Sequence, residues 1–115
     1  MNAADIQNRL DTDDRVFLHY TNEAGFNAIK QEGVVRQNNK FAVYLTREVL
    51  SPTQVSNVLF IGAGTHEGRG SHVFVVRLGP WIQLEKIGWG APEYVARERI
   101  KLGQHEVIYQ GRNPF

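Results

Sequence analysis

The run His72-Val73-Phe74-Val75-Val76-Arg77-Leu78 limits the possible folds more than any other part of the sequence. It is the clearest strand in the chain, and so continuous an apolar, β-branched stretch belongs in the interior of a sheet. A chain of 115 residues and 13.1 kDa can build one core around such a sheet. Residues 1–115 are therefore expected to form a single domain, with 1–14 a peripheral N-terminal segment. Apolar residues make up 42% and charged residues 22%, as in an ordinary globular chain. A net charge of +1 is too mild to argue for a nucleic-acid surface or an anionic membrane. The absence of cysteine excludes disulfide staples and thiolate metal sites.

Around the central run the punctuation is regular. Ile6 and Leu10, four apart, mark a weak amphipathic helix before Asp11, Asp13 and Asp14. Val16-Phe17-Leu18-His19-Tyr20 reads as a strand, and Thr21 or Asn22 can cap the helix that follows. Phe26 with Ile29, and Ala24 with Ala28, give that helix an inner face, and Gly33 supplies a left-handed C-cap. After the polar loop Gln37 to Lys40, Phe41–Thr46 reads as a second strand. Ser51-Pro52 opens another helix, with Val55, Val58 and Leu59 on one stripe. Gly62, Gly64, Gly68 and Gly70 punctuate a loop ahead of the central strand. Trp81–Ile87, Tyr94–Ile100 and Glu106–Tyr109 read as further strands, with Gly88, Gly90 and Gly103 at the breaks. Helices early and strands late predict an α+β fold with mostly antiparallel pairing.

Three features stand out as chemistry: His19-Tyr20-Thr21 at a strand end, Tyr44 within a strand, and Pro92-Glu93-Tyr94 opening another. Taken singly, each has an ordinary structural explanation: a bonded histidine, a core tyrosine, a solvated glutamate. In this order and setting the chain resembles the ADP-ribosyltransferase superfamily, in the branch marked by His, Tyr and Glu on three successive blocks. The first block is matched by Val-Phe-Leu-His-Tyr-Thr, a helix and Glu-Gly-Val between Val16 and Val34. The second is matched by Val43-Tyr44-Leu45-Thr46 and the third by Glu93-Tyr94-Val95. The likeness spans Val16 to Tyr109 and is nearest to small bacterial toxin-type transferases, often the C-terminal warheads of polymorphic toxins. Members of that group often carry an acidic residue directly after Tyr-Leu-Thr, where this chain has Arg47 and then Glu48.

The resemblance implies split antiparallel β-sheets with short helices around an NAD cleft, and an enzyme that transfers ADP-ribose from NAD to a protein or RNA. It implies Glu93, His19 and Tyr44 as the catalytic set, and His19, Tyr20, Thr21 and Tyr44 as contacts to NAD. His19 would hold the adenosine-side ribose, Tyr20 the nicotinamide amide through its backbone, and Tyr44 the nicotinamide ring by stacking. Thr21 adds a hydroxyl near the same amide. Breaking the nicotinamide–ribose bond builds positive charge on the sugar and releases a neutral leaving group, so no general acid is needed. Glu93 can accept from a ribose hydroxyl and offset that charge, as carboxylates do for glycoside transition states. Arg36 and Arg47 are candidates for the pyrophosphate, and Glu98 and Glu106 are the competing carboxylates. The resemblance further implies delivery within a larger secreted protein, action in a target-cell cytoplasm, and a cognate immunity protein. A monomer is expected.

Other readings stay open at this point. His19 and Glu93 could serve as acid and base of a metal-independent RNase toxin. The same fold could remove a 2′-phosphate from RNA with NAD, or the chain could be a non-catalytic binding or immunity protein. Gly62-Ala63-Gly64-Thr65-His66 follows a helix and leads into a strand, the reverse of a dinucleotide fingerprint. His66, His72 and His105 lack metal-ligand spacing, so no metal is expected. Met1–Leu10 lacks the apolar run of a signal peptide, and no stretch is long enough to cross a bilayer. Trp81 and Trp89 read as packing residues, with exposure the sign that would change this.

Overall fold

A computed structural model describes residues 1–37, 42–58, 70–87 and 93–115. The loop read at Gly62–His66, Gly68 and Arg69, the turn Gly88–Pro92 with Trp89, and residues Asn38 to Phe41 and Leu59 lie outside that set. Elements run α1 (Ala3–Thr12), β1 (Val16–Thr21), α2 (Glu23–Glu32), β2 (Val34–Val35), β3 (Val43–Thr46) and α3 (Pro52–Val58). They continue with β4 (His72–Arg77), β5 (Leu84–Ile87), β6 (Glu93–Ala96), β7 (Ile100–Lys101) and β8 (Glu106–Arg112). The result is an α+β fold in which every strand pairing among the described residues is antiparallel.

Six strands form the main sheet in the order β5-β6-β3-β1-β4-β8, and β2 pairs with β7 in a small second sheet. The central run His72–Arg77 lies between β1 and β8, where its continuous apolar character requires cover on both faces. One face carries Phe17, Leu45, Phe74, Val76 and Ala96, closed by Phe26 from α2, Val35 from β2 and Ile100 from β7. The other carries Val16, Leu18, Tyr20, Val73 and Val75, closed by Ile6 and Leu10 from α1 and Val55 from the start of α3. The odd and even members of β1 thus feed separate cores, as period-two alternation dictates.

Local chemistry explains the boundaries. The Asn22 side chain accepts from the Gly25 amide at the start of α2, and Gly33 ends the helix at φ 71° with its N–H on the Ile29 carbonyl. Ser51 and Gln54 cap α3 reciprocally, with Pro52 at its first position. Gly70 packs against α3 so closely that a Cβ would stand 2.7 Å from the Pro52 carbonyl oxygen.

Several sequence expectations need correction. The strand read at Trp81–Ile87 begins only at Leu84, because the Arg15 guanidinium gathers the carbonyls of Leu78, Gly79 and Ile82 and folds that stretch into a turn. Trp81 is 55% exposed, its ring stacked on His105 with centroids 5.3 Å apart. The strand read at Tyr94–Ile100 breaks at the exposed run Arg97-Glu98-Arg99, after which Ile100 pairs with Val35 in the other sheet. Ala24 and Ala28 are exposed, so Phe26 and Ile29 alone form the inner face of α2.

Candidate functional site

The three sequence blocks converge on neighbouring strands, His19 on β1, Tyr44 on β3 and Glu93 on β6. One row of Cα partners crosses the whole sheet: Ile87, Glu93, Thr46, Leu18, Val75 and Tyr109. Residues of such a row share a face. Glu93 therefore lies with Thr46 and Leu18 on the α1 and α3 side, and Tyr44, two residues from Thr46, lies there too. His19, next to Leu18, turns to the α2 side. The structure thus brings Tyr44 and Glu93 to one face and His19 to the other, about the same point of the sheet.

The strands that carry His19 and Tyr44, β1 and β3, share a short register. Between β1 and β3 the register consists of the single pair Leu18↔Thr46, although β1 runs on for three more residues. The Arg15 carbonyl accepts from the Leu78 amide, so odd members of β1 turn their polar main-chain groups toward β4. Even members, Leu18 and Tyr20, turn theirs toward β3. Beyond Leu18 no further Cα pair joins β1 to β3 among the described residues. The His19 imidazole reaches across, its Nδ1–H donating to the Tyr44 carbonyl at 2.9 Å. Because a carbonyl only accepts, this bond fixes Nδ1 as a protonated nitrogen.

On the α2 side His19 borders a cleft of about 180 Å³ whose walls are Gly25, Ala28, Ile29, Val34 and Val35. Glu32 and Arg36 complete the lining and pair with each other. Thr21 is half-buried, and its hydroxyl sits against Gly25, where a Cβ would come within 2.2 Å of it. Arg47 is engaged by the protein's own main chain. Its guanidinium donates to the carbonyls of Leu10 and Val16, both at 2.6 Å, and of Asp13 at 3.1 Å.

Glu93 is 3% exposed, and its Oε1 is buried with no hydrogen-bond partner. Burial pushes its carboxyl above the ordinary carboxylate range, since desolvation disfavours the charged form. The competing carboxylates lie elsewhere: Glu98 is exposed in a bend, and Glu106 is exposed and paired with Arg9 at 3.1 Å.

The Tyr20 side chain belongs to the core. Its hydroxyl donates to the Glu48 carbonyl and accepts from the Leu50 amide, each at 2.8 Å, and burial raises its phenol pKa. Tyr20→Phe would strand a buried amide, and a loss of about 1–3 kcal/mol is expected in urea denaturation. Sequence reading missed Thr46, which is 1% exposed and opposite Glu93, and the cleft formed once Val34 and Val35 turn back beneath α2. Both depend on register between distant segments. Among the described residues, no group of three or more His, Asp or Glu can hold a metal ion, and no helix is long and apolar enough to cross a membrane. Compared with protein-family models, curated proteins and solved structures, the chain matches none.

Proposed function

We propose that the chain is an NAD-dependent ADP-ribosyltransferase whose reacting centre is Glu93 and Tyr44 and whose adenosine-side anchor is His19. The observation that carries this reading is the buried Glu93 carboxyl oxygen that has no hydrogen-bond partner, on the sheet face that Tyr44 shares. An extended ligand with two sugars suits this arrangement. One sugar meets His19 beside the α2 cleft, and the other meets Glu93 two strand spacings away, about 10 Å. The main chain of Tyr20, next to His19, would take the carboxamide. Tyr44 shares the Glu93 face and can stack on an electron-poor ring.

In the reaction the C1′–N bond to nicotinamide breaks and its electron pair leaves with the ring as neutral nicotinamide. A nucleophile on the acceptor bonds to C1′ and gives up its proton to solvent. Glu93 accepts from the ribose hydroxyl and offsets the charge developing on the sugar, in a site where burial strengthens that interaction. The split sheet with helices around an NAD cleft belongs to this proposal, as do an acceptor of protein or RNA and a toxin-type role with an immunity partner. Placement of His19 and Glu93 on opposite faces counts against the acid–base pair that an RNase would need.

Incubation with NAD labelled in the adenylate phosphate and a bacterial lysate tests the proposal. Label entering protein or RNA, with stoichiometric nicotinamide release, is the expected result. Nicotinamide release alone would make the chain an NAD glycohydrolase, and RNA cleavage without NAD would replace the proposal by the RNase reading.

A further inference from the structure

We infer that His105 is an acid-sensitive latch: as a neutral ring it fixes the exposed Trp81 side chain against Gly79, and on protonation it releases both the Gly79 amide and the Trp81 ring. The latch uses none of the residues assigned to NAD above.

Gly79 is held from both ends. Its carbonyl accepts from the Arg15 guanidinium at 2.6 Å, and its amide donates to His105 Nδ1 at 2.9 Å. A backbone amide N–H only donates, so Nδ1 carries no proton and the neutral ring bears its one proton on Nε2. Nε2 is buried and has no hydrogen-bond partner among the described residues. The Trp81 ring covers this arrangement. It stacks on the imidazole at an interplanar angle of 24°, and it lies so close over Gly79 that a Cβ there would come within 2.2 Å of it. Gly79 is buried although Trp81 is 55% exposed, so one glycine and one imidazole hold a large ring at the surface.

A second proton has no place in this geometry. It would enter at Nδ1, where the Gly79 N–H already points, and two donors would then face each other. Nε2 offers no compensation, since its own N–H already lacks an acceptor. The charged groups around the ring act unequally. Burial and then the Arg15 guanidinium disfavour the imidazolium, Glu98 in the bend after β6 favours it, and the net result is a pKa below the ordinary histidine value. Glu106, the next residue in the chain, is engaged by Arg9 at 3.1 Å. The unfolded chain therefore takes up this proton first. The contribution of the neutral ring to stability is complete above the unfolded pKa of about 6.5 and is lost as pH falls through the folded value. Arg15 keeps its hold on the carbonyls of Leu78, Gly79 and Ile82, which do not titrate. What acid releases is thus the amide side of Gly79 and the ring above it.

The test titrates the full chain, labelled with ¹⁵N, by nuclear magnetic resonance between about pH 8 and pH 4. The His105 ring is assigned by its loss in His105→Asn and the Trp81 indole by its loss in Trp81→Phe. At the upper end Nδ1 should show the shift of an unprotonated ring nitrogen. On acidification the His105 ring, the Gly79 amide and the Trp81 indole N–H should move together, with one midpoint below about 6.5. Asn at position 105 can set its side-chain oxygen where Nδ1 stands and does not titrate. In His105→Asn the Gly79 and Trp81 signals should therefore hold their neutral-pH positions throughout. His105→Phe keeps an aromatic face without an acceptor, and its Gly79 amide should be displaced at every pH. The Asn variant retains Glu93 and the other titrating groups, so a transition of Gly79 and Trp81 that survives in it overturns the inference. An Nδ1–H tautomer at neutral pH overturns it as well, as does protonation of His105 that leaves Gly79 and Trp81 in place. If neither variant folds, those last two readings of the wild type decide by themselves.

Discussion

Glu93→Gln is expected to lower nicotinamide release from NAD by about two to three orders of magnitude, the usual effect of removing a preorganised group that meets transition-state charge. The substitution keeps shape and one acceptor oxygen, so the loss should lie in kcat rather than in NAD binding. Stability supplies an independent check. Burial holds the folded-state carboxyl of Glu93 above its unfolded value. The group's favourable contribution is therefore complete below the unfolded pKa and is lost as pH rises through the folded one. The stability of the wild type relative to Glu93→Gln should decline as pH rises above the ordinary carboxylate range, measured by urea denaturation at a series of pH values. A variant with full activity would remove Glu93 from the site. A stability difference that does not change with pH would mean that the carboxyl is not desolvated in the folded protein.

The parts of the fold legible in the sequence are those encoded locally. Asn22 and Gly33 delimit α2 by cap chemistry, and Pro52 starts α3, because each acts within one turn of its own position. His72–Arg77 declares an interior strand because both its faces are apolar. What failed to show depends on distant partners. Nothing near Trp81 marks the turn there, since it is imposed by Arg15, 63 to 67 residues away in sequence. The same holds for the site. His19, Tyr44 and Glu93 could be named from motif order, and the sheet does place their strands side by side. Motif order carries no register, however, so it could not reveal that Glu93 faces Thr46 or that His19 turns to the opposite side. Tyr20 illustrates the limit best. Its place after His19 marks its main chain, whereas its side chain anchors the turn at Glu48 and Leu50.

The two arginines that sequence alone cannot separate should behave in opposite ways. Arg47 donates to three main-chain carbonyls at the junction of α1 and β1, including that of Leu10 in the last turn of α1, and lies over the Phe17 ring at 5.7 Å. Replacing it with Met leaves those part-buried acceptors without their charged donor, and a loss of about 2–4 kcal/mol is expected. Lys should recover less than half of that, because one ammonium cannot reproduce the guanidinium fork. Arg36 is 63% exposed, just past β2, and pairs with Glu32 at the end of α2, an arrangement worth about 0.5 kcal/mol or less. Arg36→Met should leave the denaturation midpoint nearly unmoved. Because Arg36 lines the cleft beside His19, the same change should raise KM for NAD several-fold with little effect on kcat. The decisive comparison is the pair of variants measured together by urea denaturation and NAD kinetics. If Arg47→Met kept wild-type stability and lost NAD affinity instead, the guanidinium would have to leave the carbonyls of Leu10, Asp13 and Val16 to reach the ligand.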